Sequence, residues 1–116
     1  MGLYRPLSGE GEAEMNGEYI SLTDKIPVKS PQTASRLIDN EAVIVVPQES
    51  EVKVLNESGS RIWELIDGKR DIRQIAEQIS GEFEVPPEQA LKDITGFVRE
   101  LLKKQLVILN SREEAE

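Results

Sequence analysis

Residues 54 to 76, VLNESGSRIWELIDGKRDIRQIA, leave the chain few ways to fold, because strand, cap, helix, turn, cap and helix follow one another with almost no spare residue. Val52, Val54 and Leu55 close a β-prone run. Asn56 then brings a side-chain oxygen to the start of a helix whose apolar residues are Ile62, Trp63, Leu65 and Ile66. Asp67 and Gly68 end that helix in a turn. Asp71 caps the next helix, with Gln74 three residues on in capping-box spacing and Ile72, Ile75, Ala76 and Ile79 as its buried stripe.

Upstream, Pro27 and Pro31 bracket an extended lead-in, residues 35 to 38 read as a first strand, and Asp39 and Asn40 as a turn. A second strand follows over residues 41 to 47. Its five consecutive apolar residues, Ala42 to Val46, suit a strand covered on both faces or one central in a small sheet. Residues 51 to 55 return as a third strand, and a three-stranded antiparallel meander is the economical arrangement. Alternation sets Val52 and Val54 on one face of that strand and Lys53 and Leu55 on the other, the pattern of a short, half-buried edge.

Downstream, Pro86, Pro87 and Glu88 open a long third helix, with proline where the missing N–H costs nothing and an acid at the positive helix end. Leu91, Ile94, Phe97, Val98, Leu101 and Leu102 form its apolar stripe, and residues 106 to 109 read as a short terminal strand. The fold class is α+β: a winged-helix-like domain with a small three-stranded antiparallel sheet, three helices and a terminal strand. Residues 25 to 109 form the domain. Residues 1 to 24 read as an acidic, flexible extension, rich in Gly and Glu, and residues 110 to 116 as a solvated tail. Within the extension, Tyr19, Ile20 and Leu22 suit a short strand laid onto the body or a neighbouring molecule.

A chain of 116 residues has room for one modest core and one site. It has neither cysteine nor histidine, which removes disulfides, Cys/His zinc sites and Ser-His or Cys-His nucleophiles. The carboxylates show no ligand spacing, so neither a metal nor another cofactor is expected, and the protein reads as a non-enzyme. No apolar run approaches the ~18 residues of a membrane span, and no secretory signal is evident, so a cytoplasmic location is expected. The net charge of -8 sits mostly in the tails: residues 25 to 109 carry 12 bases against 14 acids. That near-neutral body lacks the positive field that DNA binding requires.

The ordered set Leu55, Asn56, Gly59, Ile62, Trp63, Leu65, Asp67, Gly68, Ile72, Ile75 and Ala76 resembles the PqqD-like family, the peptide-chaperone modules also called RiPP recognition elements. The resemblance runs from about residue 26 to residue 109. It implies a domain that binds the leader of a ribosomally made precursor peptide as an extra strand on strand three, beside the third helix. The peptide is then presented to a modifying enzyme, often a radical-SAM maturase, as in pyrroloquinoline quinone synthesis. Val52, Lys53, Val54 and Leu55 would pair with the peptide, while Lys92, Thr95 and Arg99, spaced along one side of the third helix, would line the opposite wall.

The residues themselves leave other roles open. Lys69, Arg70 and Arg73 cluster at the start of the second helix, where positive charge opposes the helix dipole. Either Asp67 and Asp71 neutralise them or they dock an acidic partner surface. Trp63 is best read as the centre of the core. An adaptor that self-pairs at the same edge strand, or exchanges its N-terminal extension in a homodimer, is the alternative to peptide capture; a winged-helix DNA binder ranks below it. Lys53→Pro tests the edge: it blocks peptide pairing, read as lost affinity in a folded variant, if the Lys53 N–H faces outward.

Overall fold

The computed structural model describes residues 22–31, 33–46 and 51–111. Its strands are β1 (Ile26–Lys29), β2 (Ala34–Ile38), β3 (Glu41–Val46), β4 (Glu51–Val54) and β5 (Val107–Asn110), and its helices α1 (Glu57–Leu65), α2 (Ile72–Phe83) and α3 (Pro87–Lys103). β2, β3 and β4 form one antiparallel sheet in that order, while β1 and β5 form a separate antiparallel ribbon. The meander, the helices and the terminal strand are those expected. The lead-in differs: it is a strand, with Ile26 opposite Asn110 and Lys29 opposite Val107.

The hairpin between β2 and β3 turns on two residues, Asp39 and Asn40, at φ of 52° and 66°. Two successive left-handed residues define the tight turn whose twist matches that of the flanking strands, and Asp and Asn tolerate it better than most side chains. β3 lies in the middle of the sheet, but it is covered on one face only. Ala42, Ile44 and Val46 are buried, whereas Val45 is 43% exposed. Its run of valines therefore marks a central strand and not one covered on both faces.

The helices begin where their caps place them. The Asn56 side chain accepts from the Gly59 N–H at 2.8 Å, and Asp71 and Gln74 exchange both bonds of a capping box, at 2.7 and 2.9 Å. At α2 every free N–H of the first turn finds an acceptor: Asp71 donates to Gln74 Oε1, Ile72 to Lys25 O, Arg73 to Thr23 O and Gln74 to the Asp71 carboxylate. Thr23 is buried and Leu22 packs on the core, so these residues are held by the body. The extension before them, including the Tyr19 and Ile20 patch, lies outside the described residues, as does the tail from residue 112.

One core runs through the sheet and helices, with Ile44, Ile62, Ile66, Ile72, Ile75 and Ile94 among its fully buried members. Trp63 belongs to it, at 3% exposure. Its indole N–H donates to Ser35 Oγ at 3.1 Å, and the Lys29 ammonium lies 4.9 Å from the ring centroid. Burial pushes the Lys29 ammonium below its ordinary pKa, against the opposing pull of Glu64 and Asp67. Lys29 thereby ties the ribbon to the helical layer. No buried side-chain N or O atom among the described residues lacks a partner.

Two side chains make connections that a substitution can test. Ser60 Oγ accepts from the Ala42 N–H at 2.7 Å and donates to Leu55 O at 3.2 Å, so the hydroxyl completes the β3–β4 ladder where the strands part. Ser60→Ala leaves a buried N–H unpaired and is expected to lower stability by about 1–3 kcal/mol, read as a lower urea midpoint. Arg61 on α1 grips Glu82 on α2 through two bonds of 2.8 Å each. The Arg61 hydrogen bonds hold the Glu82 carboxyl below its ordinary 4.5 despite some desolvation. A depressed folded-state pKa stabilises above the unfolded value and loses that contribution as pH falls through the folded value. Glu82→Gln should therefore flatten the loss of stability below about pH 4.5, as measured by thermal melts from pH 7 to pH 2.5.

Candidate functional site

The direction of each main-chain group on β4 follows from one bond. Leu55 donates its N–H to Ala42 O at 2.9 Å, which makes those two residues a narrow, hydrogen-bonded pair. Narrow and wide pairs alternate along an antiparallel ladder. With Ile44 opposite Lys53 and Val46 opposite Glu51, these are narrow pairs as well, whereas Val43 with Val54 and Val45 with Val52 are wide. The hairpin agrees: two-residue turns close on a narrow pair, here Ile38 with Glu41, which directs the groups of Val43 and Val45 toward β2.

Lys53 therefore points its N–H and C=O at β3, while Val52 and Val54 point theirs away from the sheet. Among the described residues β4 is the last strand of its sheet, so those two donors and two acceptors form an open edge. The proline test anticipated at Lys53 is misplaced for this reason: that substitution would break the sheet's own ladder. Side chains alternate in the other direction. Lys53 is half-buried and Leu55 is buried on the core side, whereas Val52 and Val54 are 57% and 58% exposed.

The predicted wall residues all lie on α3 but in unlike environments. Lys92 and Arg99 are half-buried, and Thr95 is 1% exposed with its hydroxyl donating to Leu91 O at 2.7 Å. Thr95 thus packs into the core and spends its donor within the helix. The main packing partners of α3 are α2 and β5, and that of β4 is β3.

At the start of α2, Asp67 resolves most of the basic cluster. Its carboxylate accepts from the Lys69 and Arg70 N–H groups at 2.9 and 3.1 Å and pairs with the Arg70 guanidinium at 2.6 Å. Burial pushes the Asp67 carboxyl up, but those N–H groups and the Arg70 charge together hold it below its ordinary value. Arg73 donates to Thr23 Oγ1 at 3.1 Å. Asp71, the other neutralising candidate, is buried at 3% exposure and accepts from the Gln74 N–H in the cap. Among the described residues no group of His, Cys, Asp or Glu could hold a metal, and no helix is long and apolar enough to cross a membrane.

Sequence reasoning found the edge strand and missed its polarity, together with Ser60 as the side chain that fixes the strand pairing. A serine three residues after a glutamate at a helix start carries no distinguishing signal.

A three-stranded sheet whose last strand is unpaired among the described residues, backed by helices, defines a small α+β domain with an open edge. The family follows from comparison with known proteins. The profile described as "Coenzyme PQQ synthesis protein D (PqqD)" matches residues 41–107, and the chain belongs to that family. A "PqqA binding protein" of Gluconobacter oxydans (strain 621H) is 31% identical over 65 residues, which cover 56% of this chain and 68% of that relative. The solved structure of "TbiB1 in Complex with the TbiA(beta) Leader Peptide" superposes with a TM-score of 0.63 at 30% identity, covering 69% of this chain and 93% of that one. β1 and β2 precede the span that the family profile matches.

Proposed function

We propose that this protein is a RiPP recognition element: it binds the leader of a ribosomally made precursor peptide by strand addition to β4 and presents it to a modifying enzyme. The open edge formed by the main-chain groups of Val52 and Val54 carries this reading. Both named relatives support it, one as a PqqA-binding protein and the other in complex with a leader peptide.

In strand addition, main-chain bonds align the ligand and flanking side chains choose it. Val52 and Val54 supply the bonds. Lys53 meets the ligand on the inner side, and the half-buried Lys92 and Arg99 of α3 are the wall residues left to face it, the buried Leu55 and Thr95 supporting from beneath. The protein does not itself change the peptide; its task is capture and delivery, and a radical-SAM maturase is the modifying enzyme favoured here. Pyrroloquinoline quinone synthesis is one pathway of this design. A soluble, cytoplasmic setting suits a module that meets precursor peptides as they leave the ribosome.

Four main-chain bonds at about 1 kcal/mol net each, with two or three apolar anchors at about 1.5–3 kcal/mol apiece, stand against an association cost of about 4–15 kcal/mol. The balance suits micromolar capture, weak enough for release to an enzyme.

Two prolines separate the sides of β4. Val54→Pro removes an outward N–H and sets the ring in the path of an added strand, so the variant should stay folded and bind candidate leader peptides at least tenfold more weakly, about 1.4 kcal/mol. Lys53→Pro removes an inward bond and should lower stability instead. An amide NMR titration reads both, and a folded Val54→Pro variant with wild-type peptide affinity would reject strand addition on β4.

A further inference from the structure

The outer face of the sheet is apolar and exposed, which is unusual for a face turned to water. Strand register arranges it in two cross-strand rows, Ala34–Val45–Val52 and Arg36–Val43–Val54. In the first row Val45 is 43% and Val52 57% exposed, and among the described residues no strand lies on the far flank of Val52. Between the two rows, on the inner face, Ser35–Ile44–Lys53 ends in a charge. Among the described residues Lys53 forms none of the ion pairs.

Resting on the strand-addition reading above, we infer that the outer face is the unfinished part of the recognition surface, and that the preferred leader is an apolar–acidic–apolar segment. Residues directly opposite one another on paired strands share a face. A peptide strand on β4 therefore continues both valine rows with the residues opposite Val52 and Val54, and sets the residue between them beside the Lys53 ammonium. β-Branched or aromatic side chains at the two outer positions extend the rows. An aspartate or glutamate at the middle position meets the charge.

A second copy of the chain fits this surface poorly on two counts. Three strands of about five residues, at ~3.3 Å per residue and ~4.8 Å between strands, present roughly 200–250 Å². A stable face-to-face dimer needs about 800 Å² per partner. Pairing two β4 edges in register would set Lys53 beside its own copy, and like charges directly opposite are unfavourable. An inward-pointing charge on an edge strand is one of the ways a sheet refuses itself as a partner.

The test uses the full-length protein and a displayed library of random twelve-residue peptides. Recovered peptides are synthesised and titrated against the wild type, Val52→Thr/Val54→Thr and Lys53→Glu, with circular dichroism confirming the fold. Both valines are more than half exposed, so the threonine variant should fold. The inference expects binding about two- to fivefold weaker for each valine replaced, an effect that vanishes for peptides given serine at the facing positions. It also expects Lys53→Glu to prefer peptides whose middle acid is changed to lysine.

Equal affinity of the wild type and both variants for every peptide would overturn the inference, while the separate Val54→Pro result would still decide strand addition. A concentration-dependent dimer in light scattering, dissolved by Val52→Thr/Val54→Thr with peptide affinity unchanged, would overturn it in favour of self-association. A library without any binder would reject peptide capture and the inference together.

Discussion

The pairing of Leu55 with Ala42 fixes what this domain can offer a partner. An antiparallel ladder has only two phases, and this bond, with the Ser60 hydroxyl completing its other half, selects the one that turns Val52 and Val54 outward. Ser60 stands in the first turn of α1, while Leu55 and Asn56 directly precede that helix. The same few residues therefore end the strand, cap the helix and set the ladder's phase. A shift of one residue would turn the Lys53 groups to the edge and move the Leu55 side chain from the core to water. Burial of Leu55 and satisfaction of the Ala42 N–H oppose that slip together.

The ribbon of β1 and β5 supports this arrangement from the other end of the chain. Ser30 donates its N–H to Leu106 O and its hydroxyl to Gln105 O, which holds the chain just before β2 against the segment that follows α3. Lys29 reaches over Trp63, whose indole N–H holds Ser35 on β2. Lead-in, sheet and α1 are thus joined through one tryptophan. Thr23 and Lys25, just ahead of β1, meanwhile satisfy α2 by accepting from Arg73 and Ile72. Residues ahead of the span matched by the family profile are in this way part of the domain's closure.

Legibility in the sequence divides along the line between local and non-local physics. The caps at Asn56 and Asp71, the proline start of α3 and the Asp39–Asn40 turn were readable because each is settled within a few residues by side chains that bond their own backbone. The pairing of Ile26 with Asn110 was not, because nothing near either residue marks a partner at the opposite end of the chain. For β4 the alternation was legible and its phase was not. Val52, Val54 and Leu55 put apolar groups on both faces, so periodicity alone could not say which face is inner. The valines of β3 concealed its one-sided burial in the same way. The wall on α3 was the hardest part: spacing placed Lys92, Thr95 and Arg99 along one side, but the burial of Thr95 depends on packing across the helical layer.

Main-chain pairing cannot supply selectivity here. The groups offered by Val52 and Val54 are the same for every peptide that can lie straight, and four bonds at about 1 kcal/mol net each roughly equal the lower end of the association cost. Any useful discrimination must therefore come from side chains flanking the edge. On the inner side these are the Lys53 ammonium and the apolar rim of the core; on the outer side they are two valines that no other part of the described chain covers. A domain with no need to recognise a strand would be better served by lysine or threonine at those outward positions, since exposed apolar edges invite aggregation. Valine at both, with the only lysine of the strand turned inward, fits an edge kept open for a ligand and closed to its own copies.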